Sequence, residues 1–219
     1  MTVYDPSYIA GVVARQISSF GTGVPRSLES TPDGSLFTSS FKQKATLAGR
    51  MCVVNCGSVT TPLTFLTTAD KRPDWVIRVL AGTTILPVSV ETILEAAAGT
   101  ATEVDIRAAA NDIGSGTSSA ATVGPLSTLI NGTAPVFTPA TIARQLYTGD
   151  ATAEVAPVTL HRRCFPLAQA SGLIPYEDFW NPNGEEAIIV GPGTLEGFIA
   201  ATTTQATGYV VIKYIELST

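Results

Sequence analysis

Apolar and polar residues alternate with a period of two over long stretches of the chain from about residue 44 onward. Two stretches show the alternation most clearly, and their apolar or small members are Val88, Val90, Thr92 and Leu94 in the first and Val104, Ile106 and Ala108 in the second. Because successive side chains of a strand point to opposite faces, this pattern predicts antiparallel strands that each bury one face.

Turn signals divide the rest of this region into further short strands. The turn Ala81-Gly82-Thr83 separates two of them, and breaks at 191–193 and 205–208 separate three more near the end of the sequence. Strand-like segments also cover 51–56 and 158–165. Several short strands at this spacing predict an all-β sandwich or barrel. The sequence has no repeat of the kind that indicates a propeller or solenoid.

Two segments interrupt the strand pattern. Residues 111–133 are only weakly patterned, which favours an exposed binding loop or an insertion. Thr138-Pro139 then opens a predicted short helix that carries Ile142, Leu146 and Tyr147 on one side.

The N-terminal region has a different pattern. Asp5 is a suitable N-cap and Pro6 suits the first helical position. One apolar stripe follows at helical spacing, formed by Ile9, Val13, Ile17 and Phe20. This short helix either packs on its own sandwich or grips a neighbouring subunit as an arm. Residues 21–36 read as a linker, so we divide the chain into an arm and linker over 1–43 and a sandwich over 44–219.

The composition narrows the classes of function. Charged residues make up 14% of the chain, against about 25% in ordinary soluble domains. The net charge is −5 and the basic residues are scattered, so we expect no nucleic-acid partner. Residues 1–20 lack the pattern of a signal peptide, and no stretch is apolar enough to span a bilayer. We therefore expect a protein made in a cytoplasm that does not enter membranes.

The ligand-type residues do not predict a metal centre. Cys52 and Cys56 together with His161 and Cys164 would supply four zinc ligands. In a strand, however, Cys52 and Cys56 lie about 13 Å apart, and His161 and Cys164 face opposite ways. Reduced thiols are the simpler interpretation. His161 is the sole histidine and the sequence has no G-x-S-x-G elbow, so we expect no catalytic triad, no enzyme activity and no cofactor.

The segment 176–182 holds the remaining candidates. The neighbouring carboxylates Glu177 and Asp178 would point apart in a strand, and with Glu185-Glu186 they flank a turn cluster, so solvated side chains are expected rather than a glycosidase pair. The same segment clusters three aromatic residues, which we interpret either as a subunit or sugar contact or as a core plug: Tyr176, Phe179 and Trp180.

Three stretches of the chain resemble the jelly-roll head-decoration (cement) proteins of tailed bacteriophages. They are residues 76–109, 175–204 and 207–217, and the likeness is one of strand pattern, with no catalytic motif to compare. The resemblance implies an antiparallel jelly-roll-like sandwich that assembles as a homotrimer on the capsid surface of a virion and bridges subunits of the major capsid protein.

Two other functions remain open at this point. The same architecture could serve as a tail or fibre module that binds a host glycan through an exposed aromatic platform. A cupin-like hydrolase or isomerase is the third, and the presence of a single histidine argues against it.

Overall fold

A computed structural model describes residues 42, 45–46, 48–66, 72–96, 101–126, 138–149, 152–165, 176–182, 187–201 and 205–218. The chain divides into two units, Met1–Phe41 and Lys42–Thr219. The predicted helix and its stripe of Ile9, Val13, Ile17 and Phe20 lie outside the described residues.

The alternating stretches form strands, as their pattern predicts. Within the described residues there are thirteen strands, paired antiparallel throughout. They are β1 (Met51–Cys56), β2 (Leu63–Thr64), β3 (Trp75–Val79), β4 (Thr83–Ala96), β5 (Thr102–Ala109), β6 (Ser119–Ala121), β7 (Val123–Pro125), β8 (Ile142–Gln145), β9 (Val158–Phe165), β10 (Tyr176–Trp180), β11 (Ile189–Val190), β12 (Gly193–Ala201) and β13 (Thr207–Ser218).

The strands make two sheets. A seven-stranded sheet has the order β10-β4-β13-β1-β7, with β11 also paired to β4 and β2 to β13. A six-stranded sheet has the order β6-β8-β3-β12-β5-β9. The predicted all-β antiparallel sandwich is therefore confirmed.

The core lies between the sheets and uses one face of each strand. Its members come from both sheets and include Val54, Val90 and Ile212 from the first and Trp75, Ile106 and Leu195 from the second. Gly197 lies directly beneath the ring of Trp75, where a Cβ atom would stand 2.1 Å from Cε2. Close packing of this kind fixes the register of β12 against β3.

Two details of the sequence prediction are wrong. Residues 142–145 form the strand β8, not a helix, because they pair with β3 and complete the six-stranded sheet. Val88 does not share a face with Val90 and Leu94: a bulge in β4 opposite Lys213 and Tyr214 moves it to the outer face, where it packs near Met51 and Ile215. A bulge adds one residue to a strand and reverses the alternation beyond it.

The predicted loop over 111–133 is only partly a loop. Its described part contains the short strands β6 and β7, with one residue between them. Because β6 belongs to the six-stranded sheet and β7 to the seven-stranded sheet, the chain itself joins the two sheets along this side of the sandwich.

Candidate functional site

The opposite side of the sandwich ends in two edge strands, β9 and β10, that belong to different sheets. Asp178 on β10 is buried, and its Oδ2 atom lies 2.9 Å from His161 Nε2 on β9. Its Oδ1 atom accepts a hydrogen bond from Arg163 Nη1 at 3.3 Å. His161 and Arg163 lie two residues apart, so both point to the same face of β9. We call these contacts of Asp178 with His161 and Arg163 the clasp. They link the two sheets through side chains.

The clasp changes the interpretation of the carboxylates at 177–178. Glu177 is exposed and Asp178 is buried, which confirms that the two point apart. The prediction that both are solvated is wrong for Asp178, because β9 supplies it with two cationic or hydrogen-bonding partners. Glu185 and Glu186 lie outside the described residues.

The three aromatic candidates do not form one surface. Trp180 is 8% exposed and belongs to the core, so its assignment as a contact residue is corrected. Phe179 points the other way and is 55% exposed. Tyr176 pairs with Leu94 at the start of β10, and its side chain lies outside the described residues. A glycan platform that needs Trp180 is not present in this arrangement.

Phe179 belongs instead to an apolar edge, which we define as Phe179, Ile188 and Val190. Ile188 is 63% exposed and Val190 is 60% exposed. Both β10 and β11 pair with β4, so the apolar edge follows one border of the seven-stranded sheet. Phe179 pairs with Glu91 and Val190 with Thr84, which spaces the ends of the apolar edge by roughly 20 Å.

The cysteines do not converge on a metal site. Cys52 and Cys56 are buried in the core face of β1, and burial raises the pKa of each thiol to about 12. Cys164 is exposed on β9 in the other sheet, and all three cysteines are free. In the part of the chain that the structure describes, no group of three or more His, Cys, Asp or Glu side chains could hold a metal ion.

The outer face of the six-stranded sheet carries a group of charges that sequence reasoning missed. Arg107 Nε donates to Asp105 Oδ2 at 2.7 Å, and Arg162 Nη2 donates to the same oxygen at 2.9 Å. Glu196 lies opposite Arg107 in the register and is fully buried. Neither carboxylate oxygen of Glu196 has a hydrogen-bond partner. Burial and the neighbouring carboxylate of Glu154 raise the pKa of Glu196 to about 8.

A second buried glutamate has the opposite environment. Glu216 Oε1 accepts from the backbone N–H of Ala140 at 2.7 Å, and Oε2 accepts from the backbone N–H of Thr141 at 3.2 Å. The hydroxyl of Thr141 also donates to Oε2, at 2.6 Å, and lies 2.6 Å from the hydroxyl of Tyr214. Glu216 therefore fastens the segment that leads into β8 to the end of β13.

Sequence reasoning had only faint signals for these residues. Glu196 and Glu216 are acidic residues that stand among apolar residues of their strands. A strand with one exposed face shows the same pattern, so the sequence does not indicate that the two carboxylates are buried. Glu216 is bonded by the segment 138–141, and Glu196 is shielded by loop residues that include Glu154; both are distant from the glutamates in sequence. The contact of His161 with Asp178 likewise had no signal in the sequence, because it joins two different sheets.

Comparison of the sequence with protein-family models gives no match, and neither does comparison with curated proteins. Among the described residues, no helix has the length and apolar character needed to cross a membrane.

Proposed function

We propose that the chain is a structural protein of a virion, a capsid decoration or cement protein that assembles as a homotrimer and bridges subunits of the major capsid protein. The observation that carries the proposal is the apolar edge. Three large apolar side chains, each more than half exposed, line one border of a sheet: Phe179, Ile188 and Val190. Grouped exposed apolar residues mark surfaces that other molecules cover.

The position of the apolar edge supports a role in assembly. Edge strands expose unpaired backbone groups, and proteins usually protect them with charges, bulges or a cover. Phe179 has Glu177 two residues before it on β10 and Glu91 opposite it on β4, whereas the residues of β4 opposite β11 are the uncharged Ile85 and Thr84. A neighbouring subunit that covers this border would bury the apolar side chains and shield the strand edge together.

The low charge of the chain is consistent with the same role. Only 14% of its residues are charged, and interface centres are depleted of charge relative to other surfaces. Closed cyclic symmetry suits a protein that repeats over identical sites, and many weak contacts on one particle add through avidity.

The first experiment measures the native mass by light scattering after size exclusion. We expect about 68 kDa, three chains of 22.8 kDa, for the unmodified protein. The triple variant Phe179→Ser, Ile188→Ser and Val190→Ser should fall to the mass of a monomer. Val59→Ser is the matched control, since Val59 is 68% exposed and lies between β1 and β2, on the far side of β13 from β4.

The outcomes separate the parts of the proposal. A trimer that the triple variant does not dissociate would show that the apolar edge is not the subunit contact. A monomeric unmodified protein would overturn the homotrimer. Binding to the capsid is tested apart from this, by co-sedimentation of purified protein with phage heads that lack it. No retention on the heads would overturn the capsid role.

A further inference from the structure

Two loops cover the outer face of the six-stranded sheet, and we define them together as the covering loops: residues 110–118 and residues 146–149 with 152–157. They bury a small apolar cluster formed by Val76, Ile113 and Tyr147. Tyr147 also donates its hydroxyl to the backbone carbonyl of Gly114 at 3.0 Å. The covering loops are therefore packed onto the sheet and onto each other.

A set of polar contacts holds the covering loops closed. Asp112 accepts two hydrogen bonds from Arg78 on β3, each at 2.7 Å. Asn111 donates to the carbonyl of Ala153 at 3.0 Å and accepts from the backbone N–H of Val155 at 2.7 Å. These contacts lie at or near the surface and bind the two loops to each other and to β3.

Glu196 lies on the face of β12 that the covering loops shield. Its side chain is fully buried, and both oxygens lack a hydrogen-bond partner. A buried carboxylate without donors is far more costly ionised than protonated. The closed arrangement of the loops therefore favours the neutral acid.

Besides burial, the carboxylates of Glu154 and Asp105 raise the pKa of Glu196 and reinforce this preference. The guanidinium of Arg107 lowers that pKa in part. Arg107 on β5 lies opposite Glu196, but its Nε atom is bound to Asp105 and its Nη1 atom lies 3.8 Å from Glu154 Oε2. On β3 the register partner is the apolar Val76, and the next outward residue, Arg78, is paired with Asp112. One guanidinium thus stands among three carboxyl groups, of which two already contact it.

We propose that Glu196 is a proton-controlled latch: the covering loops close over the sheet while its carboxyl is neutral, and they open when it releases its proton to solvent. Opening lets water reach the carboxylate, which removes the desolvation cost. It also separates Glu154, which belongs to the loops, from Glu196 and Asp105, which remain on the sheet. This inference is independent of the capsid proposal, because it concerns a face that the apolar edge does not touch.

The direction of the pH dependence follows from linkage. The pKa of Glu196 is raised from 4.5 to about 8 in the closed form, largely by burial and then by the charge of Glu154. The closed form therefore holds a proton that the open form releases. The opening equilibrium should rise by about tenfold per pH unit between these two values and level off above the higher one.

Hydrogen exchange of loop amides measures this equilibrium directly. Suitable amides are bonded between the loops, namely those of Ala110, Thr148 and Thr152. After correction for the intrinsic exchange rate, their protection should fall about tenfold per pH unit from about pH 5 to about pH 8 and then become constant. The core amides of Val54 and Ile212 serve as reference, since they report global unfolding.

Two variants distinguish the latch from other causes. In Glu196→Gln the side chain keeps its shape and cannot titrate, so the tenfold fall of loop protection per pH unit should disappear. Any pH dependence that remains should be shared with the reference amides, because Asp74 also titrates in this range. In Glu154→Gln the neighbouring charge is removed, so the levelling-off should move to lower pH. The carboxyl of Glu196 can also be followed by carbon NMR in the unmodified protein.

Three results would overturn the proposal. The first is a pH profile that Glu196→Gln leaves unchanged. The second is an NMR titration of Glu196 near the ordinary value for glutamate. The third is equal loss of protection in the loops and in the reference amides, which would mean that the whole domain unfolds and the loops have no opening of their own.

Discussion

Glu216 and Glu196 are buried glutamates on β13 and β12, which follow each other along the chain but belong to different sheets. Their surroundings differ in almost every respect. Glu216 accepts hydrogen bonds from two backbone N–H groups and one hydroxyl. Glu196 accepts none. Burial by itself therefore says little about what a carboxylate does in this protein, since the donors around it decide whether the buried charge stabilises the fold.

The two regions consequently respond to different changes. Around Glu216 the donors are preorganised for a carboxylate, so removing it leaves the buried N–H group of Thr141 without its acceptor. No hydrogen-bond donor contacts the carboxylate of Glu196, so removing its negative charge removes the free-energy cost of desolvating it. Asp178 is intermediate, because its partners are side chains on β9 that are themselves partly exposed.

The largest effect is expected from Glu216→Ala. The substitution leaves the buried N–H group and hydroxyl of Thr141, and the more exposed N–H group of Ala140, without their acceptor. It should lower the free energy of unfolding by about 3–5 kcal/mol. Urea denaturation followed by fluorescence measures it. Glu216→Gln keeps one carbonyl acceptor and should lose less. Equal losses in the two variants would show that packing, rather than hydrogen bonding, is what Glu216 supplies.

The next effect is a change in pH dependence at Glu196. Because its pKa is raised from 4.5 to about 8, its contribution to stability is fully present below the lower value and is lost as the pH rises through the higher one. The free energy of unfolding of the unmodified protein should therefore fall between about pH 5 and about pH 9. In Glu196→Gln this fall should be smaller by about 2–4 kcal/mol.

Asp74 must be separated from this effect. Burial raises its pKa to about 7, although the N–H groups of Leu66 and Ile199 lower it in part. Its contribution has the same sign and is lost as the pH rises from 3.8 to about 7. The contribution of Asp74 is the same in the variant and in the unmodified protein. The difference between their free energies of unfolding at each pH therefore isolates the contribution of Glu196. Parallel pH profiles for the two proteins would contradict the assignment.

The contrast also shows how far the sequence could predict the molecule. The strands β4 and β5 follow from alternation, whereas β9 was predicted as a strand-like segment and β13 from the breaks that precede it. Strand β8 does not, because Ile142 to Gln145 owe their conformation to pairing with β3 rather than to their own pattern. The displaced face of Val88 depends on a bulge beside Pro87. Proline within a central strand is tolerated at a bulge, but the alternation alone does not show it.

The candidate site was less predictable than the fold. The sequence predicted that Glu177 and Asp178 point apart, but it predicted both to be solvated, and it did not indicate the partner of the buried Asp178. That partner, His161, is seventeen residues earlier and belongs to the other sheet. Long-range pairing of this kind depends on strand order, which alternation does not encode. The exposure of Phe179 and the burial of Trp180 follow only once β10 is placed at the sheet edge.

The clasp at Asp178 gives the third prediction. Asp178→Asn should lower the free energy of unfolding by about 1–3 kcal/mol, since a buried charge-assisted hydrogen bond is replaced by a neutral one. A double-mutant cycle with His161→Ala isolates the contact. We expect a coupling free energy of about 0.5–2 kcal/mol between Asp178 and His161. Loss of this contact should weaken the link between β9 and β10. Additive losses would mean that Arg163 alone closes this side of the sandwich.

The smallest effects come from one substitution made in both regions, threonine to valine. Thr141 Oγ1 lies 2.6 Å from both Glu216 Oε2 and the hydroxyl of Tyr214, whereas the buried Thr194 Oγ1, two residues before Glu196, has no partner. Thr141→Val should therefore cost about 1–2 kcal/mol, and Thr194→Val should be neutral or stabilising by up to about 1 kcal/mol. Thermal unfolding under identical conditions compares them. A loss at Thr194 as large as that at Thr141 would mean that the face around Glu196 has polar partners after all, and the contrast between the two glutamates would then rest on their charge alone.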